Sequence, residues 1–253
     1  MARSLARVLT PLAAAAFAAS CGSGASAGGP PPGQGPGPVR QQEAAVAPVN
    51  IHAVYPTDFS KRRPLTRAER TNFQETSHYA DVLAFIDSLK TMESDQIATG
   101  DIGKTSEGRE IPYVVASRPL VRTAAEAKRL NRPIVYIQAN IHAGEVEGKE
   151  AMLAMLRELT DDKAPNVLDS LVLVVVPIYN ADGNEKFEHQ EQARPSQDGP
   201  EMVGQRANGQ GLDLNRDYVK DDAPETRASL RMFDRWDPDV FVDLHTTDGT
   251  YHG

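Results

Sequence analysis

An α/β fold, a mixed, largely parallel sheet flanked by helices, is what this sequence predicts, and three observations carry that prediction. Short apolar runs alternate with helical patterns from residue 79 to residue 244, the signature of strands with helices on their faces. Leu171–Val176 is an unbroken run of Leu and Val, as a strand buried on both sides requires, and Pro133–Ala139 reads the same way. Residues able to do chemistry follow directly after such runs, and open α/β sheets bind ligands beyond the carboxyl ends of their strands.

The elements follow in order. Tyr79–Met92 is a helix, because Val82, Leu83, Ile86 and Leu89 fall on one face. Gln96–Gly103 and Ile111–Ser117 are short strands joined by Lys-Thr-Ser-Glu-Gly-Arg, which has the small and polar residues of a hairpin turn. After the strand at 133–139 comes a helix over Glu147–Leu159, with Ala151, Met152, Met155, Leu156 and Leu159 on its apolar side. The strand at 171–176 precedes a helix over Pro224–Trp236, expected to be capped by Asp222, begun by Pro224 and stopped by Pro238. Val240–Leu244 is the last strand.

The chain has 253 residues, 25% of them charged and 40% hydrophobic, and a net charge of -8. That balance is ordinary for a globular domain and gives no reason to expect a nucleic-acid partner. The single cysteine, Cys21, excludes an intrachain disulfide. Residues 1–20 read as an export signal: Arg3 and Arg7 make a positive start, and Val8–Ala19 is apolar yet too short to span a bilayer. Ala18-Ala19-Ser20-Cys21 resembles a bacterial lipobox with Ala where Leu is usual, which implies lipidation of Cys21; an ordinary cut after Ala27 is the alternative. Residues 21–48 are rich in Gly and Pro and read as a disordered tether. The expected place is therefore outside the cytoplasm, as a lipoprotein of the bacterial cell envelope or a secreted protein, with residues 49–253 as the folded domain.

Two parts of the sequence together form a candidate metal site. His142-Ala143-Gly144-Glu145 follows one strand, and His245 ends another. Two histidines and a glutamate can hold zinc and leave a position open, as hydrolytic zinc requires. Each residue also has a bland reading: a capping or surface histidine at 142, a helix first-turn carboxylate at 145, a core-edge histidine at 245. Gly144 is expected to loosen the turn so that His142 and Glu145 point at one ion. If the strands run parallel, the loops after 139, 176 and 244 share one rim. His52, His78 and His189 lie in polar surroundings and read as solvated, while His252 could approach the site.

His142-Ala-Gly-Glu145, Asn180-Ala-Asp-Gly183, Asp213-Leu-Asn215-Arg216 and Asp243-Leu-His245 occur in the order and approximate spacing of the zinc carboxypeptidase family, which the chain resembles. The resemblance implies one Zn2+ per chain held by His142, Glu145 and His245. It implies that Asn215 and Arg216 grip a substrate's terminal carboxylate, that Arg206 stabilises the oxyanion as the catalytic arginine, and that Asp213 orients His142. The activity implied is hydrolysis of C-terminal peptide bonds by metal-activated water, on peptides or peptidoglycan stem peptides. A zinc-dependent deacylase or amidohydrolase of related fold, and a non-catalytic peptide-binding envelope lipoprotein, are the alternatives. Asp217 departs from the family pattern and is expected to add negative charge beside the carboxylate site. The family's general-base glutamate and substrate-covering tyrosine would lie beyond Gly253, which implies that residues 49–253 are a catalytic domain incomplete at its C-terminus and inactive alone.

Overall fold

The structure, a computed structural model, describes residues 64–161, 164–195, 197 and 199–246. The signal and tether regions, Cys21, His52 and His252 lie outside the described residues. A short helix α1 (Arg67–Arg70) leads into α2 (Tyr79–Met92), then strands β1 (Ile97–Lys104) and β2 (Glu110–Ala116), helix α3 (Ala124–Arg129), strand β3 (Ile134–Ala139) and helix α4 (Glu147–Asp161). Strand β4 (Val172–Val176), helix α5 (Ala181–Asn184), β5 (Glu188–His189), α6 (Gln190–Ala193) and β6 (Met202–Val203) follow, then α7 (Pro224–Trp236) and β7 (Val240–Leu244). A 3₁₀ turn at Leu214–Arg216 precedes α7.

The main sheet has the order β1-β2-β4-β3-β7. β1 and β2 form an antiparallel hairpin, and β2 pairs antiparallel with β4. β4, β3 and β7 are mutually parallel: Tyr136 sits opposite Val174 on one side and Phe241 on the other. Alternation of side chains divides the core into two layers. Val135, Ile137, Leu173, Val175, Val242 and Leu244 face α2 and α4, while Tyr136, Val172, Val174 and Val176 face Met232 and Trp236 of α7. All five residues of β4 are buried, which explains a run with no polar residue. Each such side chain contributes about 1.5–3 kcal/mol through burial.

The expected spans of α2, α7 and β7 coincide with those observed. The cap of α7 differs. Its N-cap is Ala223, and Asp222 makes no side-chain cap. The carboxylate of Asp217 takes that place, accepting from the backbone N–H groups of Asp222 (3.1 Å) and Ala223 (2.9 Å). The 3₁₀ turn brings Asp217 under the start of the helix, a contact that helical spacing cannot reveal.

Candidate metal centre

Because β3, β4 and β7 are parallel, the loops after Ala139, Val176 and Leu244 do emerge on one rim. The first loop begins at Asn140, whose φ of 66° lies in the left-handed region that asparagine tolerates. It closes with Glu145 N–H donating to His142 C=O at 2.8 Å. Gly144 acts differently from expectation: its φ is not positive, and a Cβ there would come within 2.9 Å of Gly204 C=O and 2.7 Å of the Arg194 side chain. Its missing side chain therefore permits a close approach between two loops.

The rim brings His142, Glu145 and His245 together, with one ligand atom from each lying within 4.8 Å of the others. His142 Nδ1 lies 2.8 Å from Glu145 Oε1, and His245 Nδ1 lies 3.2 Å from Glu145 Oε2. The two rings meet edge to face at 5.0 Å. Their other nitrogens turn outward: His142 Nε2 lies 3.1 Å from Asp213 Oδ1, and His245 Nε2 lies 3.2 Å from Asp243 Oδ2. Donation from Nε2–H to each aspartate leaves both Nδ1 lone pairs aimed at the carboxylate of Glu145. In that tautomer a cation or a proton between each Nδ1 and the carboxylate satisfies both acceptors. Two neutral imidazoles and a carboxylate, each pinned from behind, are a donor set suited to zinc. Thr246 N–H donates to Glu145 Oε2 at 2.8 Å and fixes the carboxylate further.

The surroundings keep the imidazole in its neutral, ligating form. Burial pushes His142 below the usual imidazole range; Asp213 pulls the other way, and the guanidinium groups of Arg206 and Arg194 add to the depression. For Asp213 burial acts upward, but hydrogen bonds from His142 and Arg206 outweigh it and hold the carboxyl below its ordinary value. Burial raises Asp243, against the pull of His245.

Arg206 is half exposed and reaches His142 Nδ1 with NH1 at 3.2 Å, while its Nε and NH2 each lie 3.0 Å from Asp213 Oδ2. Asn215 and Arg216 stand on the 3₁₀ turn. Asn215 N–H donates to Asp213 Oδ1 at 3.0 Å, and the exposed Arg216 donates from NH1 to Asn215 C=O at 3.1 Å. Neither side chain bonds to His142, Glu145 or His245. Asp217, expected to add charge here, is buried and turned toward the start of α7, with burial outweighed by its donors so that the carboxyl sits below its usual value. His189 is exposed as expected, whereas His78 is half-buried and stacks on Phe187 at 4.1 Å.

Two roles at the site went unread in the sequence. Asp243, quoted above only as part of the Asp243-Leu-His245 motif, backs His245, and the Asp-x-His spacing could have shown it, since residues two apart on a strand share a face. Arg194 places NH1 3.3 Å from Glu145 Oε1, and no local pattern marks it.

The fold has known counterparts. The chain is 28% identical over 144 residues to carboxypeptidase 2 of Trichophyton tonsurans, covering 56% of this chain and 23% of that protein. Among solved structures, the carboxypeptidase A of Helicoverpa armigera superposes with a TM-score of 0.53 at 20% identity, over 69% of this chain and 47% of that one. A metallo-carboxypeptidase of Burkholderia cenocepacia gives a TM-score of 0.53 at 20% identity, over 70% and 43%. The chain thus spans about a quarter of the length of the curated relatives it matches. The profile of the zinc carboxypeptidase family matches residues 82–251, from α2 through the His245 loop, and the chain belongs to that family.

Proposed function

We propose that this chain provides the metal-binding part of a zinc-dependent exopeptidase that hydrolyses C-terminal peptide bonds. The observation that carries the reading is the pair of imidazole Nδ1 atoms facing one carboxylate, each ring backed by an aspartate. Zinc held by His142, Glu145 and His245 would polarise a scissile carbonyl and make water a nucleophile near neutral pH. Arg206 lies at the edge of that site, and its exposed guanidinium is placed to meet negative charge developing on the carbonyl oxygen. Arg216 and Asn215 would take the substrate's terminal carboxylate. Arg216 is open to solvent, and Asp217 no longer opposes an anion there because its charge is spent on backbone N–H groups. Asp213 couples these parts, since Oδ1 meets both His142 and the Asn215 N–H while Oδ2 meets Arg206.

Among the described residues no strand pairs with the outer edge of β7, where Val240 and Phe241 are exposed. Completion of the catalytic unit by a further strand on that edge is part of the proposal. The amino-terminal sequence supports an exported enzyme, tethered through a lipidated Cys21 or secreted, that acts on peptides or peptidoglycan stem peptides.

The test begins with metal. Purified chain should hold one equivalent of zinc, and Glu145→Ala or His245→Ala should hold none. Protein containing this domain should release the last residue from peptides with a free carboxylate and leave amidated peptides intact. Absence of stoichiometric zinc, or equal cleavage of both peptide classes, defeats the reading.

A further inference from the structure

We infer that Asn180 is the positioning residue that fixes the His142 loop against the backbone of Arg206, an inference that rests on the metallopeptidase reading above. Asn180 follows β4 and is fully buried. Its amide Nδ2 donates to Ile141 C=O at 3.2 Å and to Arg206 C=O at 3.1 Å, while Oδ1 accepts from Gly183 N–H at 2.9 Å. One side chain thus ties the residue before His142, the carbonyl of Arg206 itself and the start of α5. The backbone adds a fourth link, as Asn180 N–H donates to Asn140 C=O at 3.2 Å.

The loops are also in direct contact. A Cβ on Gly183 would lie 2.6 Å from Ala207 C=O, so the chain after Arg206 rests on the backbone of α5. With no flexible side chain between them, a change in the amide's hydrogen bonding moves both loops relative to each other. The neighbouring Asp182 has a separate task. Its carboxylate accepts from Thr105, Ser106, Glu107 N–H and Arg109, all in the β1–β2 turn, and from neither the His142 nor the Arg206 loop. Two buried residues, two positions apart, therefore make separable predictions: Asp182 secures the hairpin and Asn180 sets the geometry of the metal site.

The experiment compares Asn180→Asp with Asp182→Asn in the full chain. Asn180→Asp keeps the shape but removes both donors and sets a carboxylate against two carbonyl oxygens. It should weaken zinc binding by about 10–100-fold in a chelator competition, the range for residues that orient ligands from behind. It should also change the visible spectrum of the Co2+-substituted protein, which reports ligand geometry. Asp182→Asn should lower the unfolding midpoint yet keep zinc affinity within about twofold, as independent sites do, with an unchanged Co2+ spectrum. Wild-type affinity and spectrum in Asn180→Asp, or equal losses in both variants, would overturn the assignment. So would failure of both Asn180→Asp and the milder Asn180→Ser to fold, which would make Asn180 a folding residue only. Failure of the wild-type chain to bind zinc is a different result and strikes the metallopeptidase reading itself.

Discussion

Replacing Asp182 with alanine should cost the fold about 3–5 kcal/mol, the range for breaking a buried, charge-paired group by removing one partner. The structure shows why the figure is high. The fully buried carboxylate takes Thr105 Oγ1 at 2.6 Å, Ser106 Oγ at 2.9 Å, Glu107 N–H at 2.8 Å and Arg109 NH1 at 2.7 Å. Hydrogen bonds to a charged group contribute about 1.5–3 kcal/mol each, and four sharing one carboxylate are far from additive. Arg109 keeps a second partner in Glu107, which limits the loss. Trp236, the only tryptophan and a buried one, makes urea unfolding readable by fluorescence. The pH dependence supplies a second reading. Burial would raise the Asp182 carboxyl, but its donors outweigh burial and hold it below its ordinary value. A carboxylate depressed in the folded state stabilises above its unfolded value and loses that contribution as pH falls through the folded one. The gap between wild type and variant should therefore be full at pH 6 and shrink below pH about 4. A loss under about 1 kcal/mol at pH 6, the worth of one ordinary hydrogen bond, would refute the reasoning.

Three further outcomes are expected. Asp213→Asn should weaken zinc binding by about 10–100-fold in a chelator competition, because His142 and Arg206 lose one shared anchor; unchanged affinity would remove Asp213 from that role. Lys149 is fully buried, with Nζ donating to Ser77 C=O and Asn184 Oδ1, and burial pushes it down to about 8. Between that value and the ordinary lysine value the unfolded chain holds the extra proton, so stability should rise with pH relative to Lys149→Met, by about 2–3 kcal/mol up to pH 10; a flat difference in denaturation curves would contradict it. Zinc at 100 times its dissociation constant should stabilise the chain by about 2.7 kcal/mol, read as a shift in the urea midpoint, and His245→Ala should abolish the shift.

Much of this architecture could be read from local pattern. The apolar stripe of Tyr79–Met92 and the Pro224–Pro238 bracketing of α7 gave their spans, because both signals are confined to consecutive turns of one helix. That His142, Glu145 and His245 come together was legible because they lie in the loops that follow two strands, and parallel pairing puts those loops on one rim. What escaped depends on segments far apart in sequence. Asp217 caps α7 from a preceding turn, Arg194 reaches Glu145 from a loop whose composition marks nothing, and Asn180 joins loops 39 and 26 residues away. The small helices α1, α3, α5 and α6 were missed because none has more than six residues, too few for a periodic signal.

Among the described residues nothing pairs with the outer edge of β7, and that has a practical consequence. Its row of backbone donors and acceptors, with Phe241 stacked edge-on against Phe233 at 5.9 Å, is a template on which any extended polypeptide can dock. Preparations of this chain by itself should therefore self-associate as concentration rises. Lysine at Val240 or Phe241 should relieve that tendency without disturbing the rim of His142, Glu145 and His245 at the opposite end of the strand.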